Sequence, residues 1–164
     1  MRAGLEQLRA FFEPSSIAVV GASASPGKVG YNVLFNLAEN RRRGLLRAEL
    51  YPVNPRAREL LGLPCYPRLA DVPGPVDLVV VVVPAKYVPD VMREAARKDA
   101  RAAIVISSGF SEVGNWELEE EVVRIGRDAG IRILGPNCVG VYDPYTGVDT
   151  VFLPRVKALR DGRE

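Results

Sequence analysis

Ile17-Ala18-Val19-Val20-Gly21-Ala22-Ser23-Ala24-Ser25-Pro26-Gly27-Lys28-Val29-Gly30 runs from an apolar tetrad through small residues into a stripe of apolar positions, Val29, Val33, Leu34 and Leu37, at helical spacing. The order is strand, loop, helix. Such a loop turns backbone N–H groups and the positive end of a helix dipole toward an anion, so the stretch predicts both a β-α unit and a phosphate site. Four more short apolar runs follow: Glu49 to Val53, Leu78 to Val83, Ala103 to Ile106 and Arg132 to Leu134. Most are continuous rather than alternating, as in strands covered on both faces. Further helical stripes lie between the later runs, at Val88, Val91, Met92 and Ala95 and at Leu118, Val122 and Ile125. Alternating strands and helices joined by right-handed crossovers give an α/β, Rossmann-like, doubly wound parallel sheet in a single domain, with an expected strand order of 3-2-1-4-5.

Around that frame the chain divides into an N-terminal helix (1–13), with Leu5, Leu8, Phe11 and Phe12 at helical spacing, and the main domain (14–141). Gly62, Pro64, Pro67, Pro73, Gly74 and Pro75 exclude a long helix between Leu61 and Val76, leaving a looped connection with at most a turn near Leu69. Beyond Gly140 the periodicity stops. Residues 142–164 read as an extended arm, Tyr142 to Pro154, and a charged tail, Arg155 to Glu164.

A length of 164 residues at 48% hydrophobic content suits one core. The net charge of +2, with both signs mixed along the chain, gives no electrostatic case for nucleic acid or a membrane surface. The one basic block, Arg41-Arg42-Arg43, suits a solvent-facing helix C-terminus. There is no histidine, and Cys65 and Cys138 stand far apart, which argues against a zinc site and a disulfide framework. Charges at Arg2, Glu6 and Arg9 exclude a secretory signal, and Leu78 to Val83 is too short to span a bilayer, so a cytoplasmic protein is expected. Lysine occurs only as Lys28, Lys86, Lys98 and Lys157 and glutamine only as Gln7, a bias that a thermophilic or GC-rich source would explain.

Ligands of open α/β sheets bind outside the carboxyl ends of the strands. All five runs end there in turn-forming residues: Gly21 to Gly30, Asn54-Pro55-Arg56, Pro84-Ala85-Lys86, Ser107-Ser108-Gly109-Phe110 and Gly135-Pro136-Asn137-Cys138. Each alone is ordinary turn chemistry, but five on one rim favour a shared ligand. The first loop is not the dinucleotide Gly-x-Gly-x-x-Gly, because Ser23 stands where the second glycine belongs. Nor is it a Walker loop, since five residues separate Gly21 from Gly27 and Val29 replaces the magnesium-binding hydroxyl. The Ser23 and Ser25 hydroxyls, the loop N–H groups and Lys28 remain available to a phosphate. After the second run, NAD enzymes place a carboxylate on the ribose, whereas Arg56, with Arg58 as a second candidate, suits a ribose phosphate: NADP, or coenzyme A with its 3′-phosphate. Pro84 and Ala85 would form an apolar shelf, and Ser107 and Ser108 would bond ligand amides or satisfy the strand end. Glu112 reads as an early-turn acid of the following helix, Trp116 as a packing aromatic and Cys138 as a small buried residue.

The combination resembles the coenzyme A-binding domain of the nucleoside diphosphate-forming acyl-CoA synthetases, the family of ADP-forming acetyl-CoA synthetase and the succinyl-CoA synthetase α subunit. The resemblance runs from about Phe12 to Pro154. It rests on Pro14-Ser15-Ser16-Ile17-Ala18-Val19-Val20-Gly21-Ala22-Ser23, Tyr51-Pro52-Val53-Asn54-Pro55, Gly62-Leu63-Pro64 and Val83-Pro84-Ala85. More specific are Ser107-Ser108-Gly109-Phe110-Ser111-Glu112-Val113-Gly114 and Gly135-Pro136-Asn137-Cys138-Val139-Gly140. The resemblance implies that Ser23, Ala24, Ser25 and Pro26 cradle phosphate, and Gly21, Ala22, Gly27 and Lys28 are cofactor-binding candidates in the same loop. Arg56 or its neighbour would meet the 3′-phosphate end, Ile106, Ser107 and Ser108 would line the pantetheine path, and Asn137 and Cys138 would lie toward the thiol; Val53, Asn54, Pro55, Val83, Pro84 and Ala85 are further cofactor-binding candidates.

The family also carries a second domain with a transiently phosphorylated histidine, and an ATP-grasp unit. Without a histidine this chain forms no phosphoenzyme, so the resemblance implies a fragment or subunit that works with such partner domains, or a regulatory CoA sensor. An NADP-dependent oxidoreductase or redox switch is the alternative; it lacks a histidine or a Tyr-x-x-x-Lys pair for proton transfer. A third expectation is an assembly domain whose nucleotide site is vestigial.

Overall fold

The computed structural model describes Leu5 and residues 8–153. Most of the expected 1–7 portion of the N-terminal helix and the charged tail after Leu153 lie outside the described residues. Leu8 and Arg9 are helical, and Phe11 is buried while Leu5, Leu8 and Phe12 are exposed.

In chain order the elements are β1 (Ser16–Val20), α1 (Val29–Arg42), β2 (Glu49–Val53), β3 (Glu59–Leu60), β4 (Leu63–Pro64), β5 (Leu78–Val81), α2 (Val88–Arg97), β6 (Ala102–Val105), α3 (Trp116–Asp128) and β7 (Arg132–Leu134). Single 3₁₀ turns occupy Leu69–Asp71, Ala85–Tyr87 and Ser111–Val113. The main sheet is wholly parallel, and β1, β5 and β6 are buried along their whole length, as their continuous apolar runs require.

Strand alternation divides the core between the two faces. Ile17, Val19, Leu78, Val80, Ala102 and Ile104 join Val33, Leu34 and Leu37 of α1 on one side, where Phe11 and Val148 also pack. Ala18, Val20, Val79, Val81, Ala103 and Val105 face Val88, Met92 and Ala95 of α2 and Val122 of α3 on the other. On α3, a Cβ at Gly126 would stand 2.4 Å from Ile133 Cδ1, so the missing side chain lets the helix lie close on β7. Trp116, expected as a packing aromatic, is instead 64% exposed at the first residue of α3.

The sheet order is β2-β1-β5-β6-β7. Counting the five apolar runs alone this is 2-1-3-4-5, which corrects the expected 3-2-1-4-5. The third run pairs with the first, from Ile17↔Leu78 to Val20↔Val81, and the second lies at the edge. The physical reason lies in β2: Pro52 has no N–H for an inner ladder, and Glu49 is exposed. The chain after β2 forms the small β3-β4 hairpin, lays Tyr66 beside Val53, and then crosses to the far side of β1. The expected loop from Leu61 to Val76 therefore contains one strand of a hairpin, β4, as well as the turn at Leu69.

The arm is better ordered than its lack of periodicity predicts. Residues 147–150 are buried, and Asn32, Asn36 and Asn40 of α1 donate side-chain hydrogen bonds to the carbonyls of Phe152, Val151 and Gly147, each at 2.9 Å. Among the described residues no helix is long and apolar enough to cross a membrane.

Candidate functional site

Strand order reverses between β1 and β5, so the ligand crevice of an open α/β sheet falls at their carboxyl ends. The chain is tightly drawn together there. Gly21 has φ +93°, its N–H donates to Val53 O at 3.0 Å, and a Cβ on it would stand 2.7 Å from Val82 O. Only glycine lets the loop leave β1 at this angle with β5 so near. Gly30, in the first turn of α1, is equally constrained, because its Cβ would fall 2.0 Å from Gly21 O. The two glycines seat the amino end of α1 directly on the end of β1.

Between them the loop is open. Ser23 Oγ accepts the Ser25 N–H at 3.0 Å and Ser25 O accepts the Lys28 N–H at 3.3 Å, while residues Ala24 to Lys28 are exposed. Gly27, at φ +86°, has nothing within 4 Å of where a Cβ would be. Lys28 caps α1 without a side-chain hydrogen bond, and the first turn contains no acidic residue. This leaves a positive helix end facing solvent beside two hydroxyls, the chemistry that holds a phosphate.

The other predicted residues fall on the same rim, in different roles. Asn54 is half-buried and reaches Ala22 O with Nδ2 at 2.7 Å, while its Oδ1 accepts the Arg56 N–H at 2.8 Å. Pro55 and Arg56 are exposed, and the Arg56 guanidinium has no partner among the described residues. Val53 is buried in β2 and Ala22 is fully buried, so neither side chain is open to a ligand. Val83 and Ala85 are partly exposed and Pro84 is exposed; a Cβ on Gly109 would touch the Ala85 methyl at 3.1 Å, which puts the third and fourth loops in contact.

Ile106 and Ser107 are buried, their N–H groups donating to Val81 O at 3.0 and 3.4 Å, and Ser108 is exposed. Glu112 does not serve the start of α3. Its carboxylate accepts the Gly109 N–H and, at 3.1 Å, the Phe110 N–H, and these bonds, the Gly109 one first, hold its pKa below the usual carboxylate value. Asn137, in the left-handed region at φ 53°, donates its N–H to Ser107 O at 3.0 Å and is exposed. Cys138 is half-buried with Sγ 3.4 Å from Val105 O and 3.7 Å from Leu134 O, and burial raises its pKa. Its thiol is held protonated, the opposite of an activated nucleophile.

The five loops are thus joined in a row, Asn54 to Ala22, Gly21 to Val82, Ala85 to Gly109, and Asn137 to Ser107. Sequence reasoning put Gly30 and Gly109 on the rim without naming them as ligand contacts and assigned Glu112 to the following helix, although the placement of the loops depends on all three. A glycine in a first helical turn and an acid three residues beyond Gly109 were the available signals. Among the described residues no cluster of histidine, cysteine and carboxylates has metal-binding geometry.

A parallel sheet of this order, with a serine and glycine loop at its switch point, defines an α/β Rossmann-like domain. The family described as CoA binding domain matches residues 15–144, and the chain belongs to that family. It is 45% identical over 150 residues to ADP-forming acetate–CoA ligase II of Archaeoglobus fulgidus, covering 90% of this chain and 22% of that protein. It is 42% identical over 153 residues to the α subunit of ADP-forming acetate–CoA ligase I of Pyrococcus furiosus, covering 90% and 32%. Among solved structures, the dinucleotide-forming acetyl-coenzyme A synthetase 1 of Ca. Korarchaeum cryptofilum, in complex with phosphate and ADP, superimposes with a TM-score of 0.84 at 44% identity, over 91% of this chain and 31% of that one. The chain therefore spans between a fifth and a third of the length of these relatives. The family identifies the ligand of the domain as coenzyme A.

Proposed function

We propose that this chain is the part of an ADP-forming acyl-CoA synthetase that binds coenzyme A and presents its thiol to an acyl phosphate made by partner domains. In that step the CoA sulfur bonds to the acyl carbon, the bond from that carbon to the phosphate oxygen breaks, and phosphate leaves carrying the thiol proton. The partners in this reading are a domain carrying the phosphorylated histidine and an ATP-grasp domain; this sequence contains no histidine of its own. The observation that carries the reading is the joined rim, on which Asn54 bonds both the exposed loop after β1 and the turn after β2 that carries Arg56.

Ser23 to Lys28 hold the pyrophosphate, Arg56 the 3′-phosphate, Pro84, Ala85 and Ser108 flank the pantetheine arm, and Asn137 lies toward the thiol end. Free Cys65 and Cys138 fit the reducing cytoplasm as the setting. Calorimetric titration of the purified chain tests the assignment. Coenzyme A binds, NADPH does not compete, and Arg56→Ala weakens binding by about tenfold, the scale of one charge-assisted phosphate contact. Gly27→Val, which fills the open side of the loop, also weakens it. Tight NADPH binding with none of coenzyme A would reverse the assignment.

A further inference from the structure

Asn54 stands where the two phosphate-binding halves of the proposed site meet, and all of its polar groups are engaged. Its backbone N–H donates to Tyr66 O at 2.9 Å, and its carbonyl takes the Ala57 N–H at 3.4 Å. The side chain divides its work. Nδ2 donates to Ala22 O, the residue between Gly21 and the serines of the phosphate loop, and Oδ1 accepts the Arg56 N–H, closing a turn around Pro55.

An Asp or Ser makes the second of these bonds as well as Asn does, because only an acceptor is needed. The first bond needs a donor at the same time, and the amide supplies donor and acceptor on two separate atoms, whereas a carboxylate has no donor and a Ser hydroxyl must serve both bonds from one oxygen. The Arg56 guanidinium has no partner among the described residues, so the backbone alone sets where that cation stands. We infer that Asn54 is a positioning residue that couples the phosphate loop to Arg56 and so sets the preference for a ligand bearing a ribose phosphate in addition to a pyrophosphate. The inference rests on the reading of the rim as a coenzyme A site.

The test compares coenzyme A with dephospho-coenzyme A, which lacks only the 3′-phosphate, by calorimetry on the full chain. The wild type prefers coenzyme A, and Arg56→Ala removes about tenfold of that preference by weakening coenzyme A alone. Asn54→Ala and Asn54→Ser each lower the preference by about three- to tenfold, and adding Arg56→Ala to either lowers it no further than Arg56→Ala does alone, as expected of residues acting as one unit. Equal weakening of both ligands with the preference intact would make Asn54 merely structural and overturn the inference, as would failure of both variants to fold. A wild type that binds both ligands equally overturns the inference and leaves coenzyme A binding standing. A wild type that binds neither overturns the underlying reading as well.

Discussion

Gly21 and Gly27 lie in the same loop with φ angles of +93° and +86°, yet one faces a carbonyl and the other open space. Gly21→Ala must move Val82 O, 2.7 Å from the new methyl, in addition to holding a left-handed backbone. Its unfolding free energy in urea falls by about 2–4 kcal/mol, against about 1 kcal/mol for Gly27→Ala, which carries the backbone cost alone. Both glycines were legible as loop residues. The difference between them was not, because it depends on a carbonyl of a strand distant in sequence. Glu112 behaves similarly: its charge and position suggested a helix N-terminus, whereas the folded loop turns the Gly109 and Phe110 N–H groups onto it. Its depressed pKa makes its stabilising contribution complete above the usual carboxylate range and lost as pH falls through the lower folded value. Thermal melts of wild type and Glu112→Gln should therefore differ at neutral pH and converge in acid.

At the level of elements, α1 carries two records that the sequence displays unequally. Its apolar stripe was readable from helical spacing, and Val33, Leu34 and Leu37 are fully buried. Asn32, Asn36 and Asn40 recur at intervals of four on the same helix, but polar residues at that spacing ordinarily mark a solvated face. Here they hold the arm, which has no periodicity of its own because its backbone carbonyls, and not its side chains, make these contacts. The Asn40 bond is the buried one of the three, and Asn40→Ala leaves the Gly147 carbonyl without its donor. A loss of about 1–3 kcal/mol in urea denaturation is expected, with faster amide exchange in residues 147–150 than in β1 or β5. Pro52 also carried a signal for the edge position of β2, which the expected Rossmann order did not take into account. A proline in a short strand carries topological information that the count of strands and helices does not.

Across the whole molecule the rim draws on the ends of all five parallel strands, which is why its existence could be read from the sequence and its internal connections could not. Five turn-rich strand ends are visible as local composition; that Asn54 spans to Ala22 and Asn137 to Ser107 follows from sheet order and register. The order found here brings the loops of β1 and β5 side by side, whereas the expected order would have kept β2 between β1 and the third strand. A ligand that touches loops from several strands binds the folded state alone, so its binding free energy adds to the stability of the whole domain. At about a hundredfold excess over its dissociation constant, coenzyme A should add about 2.7 kcal/mol, a rise in melting temperature of about 5–11 °C for a domain of this size. NADPH at the same concentration should leave the melt unchanged. Because Arg56 is exposed and its guanidinium has no partner among the described residues, Arg56→Ala should melt within about 0.5 kcal/mol of wild type when unliganded and yet need about ten times more coenzyme A for the same rise. That separation of stability from ligand response, read in one set of melting curves, distinguishes a cation kept for the ligand from one that supports the fold.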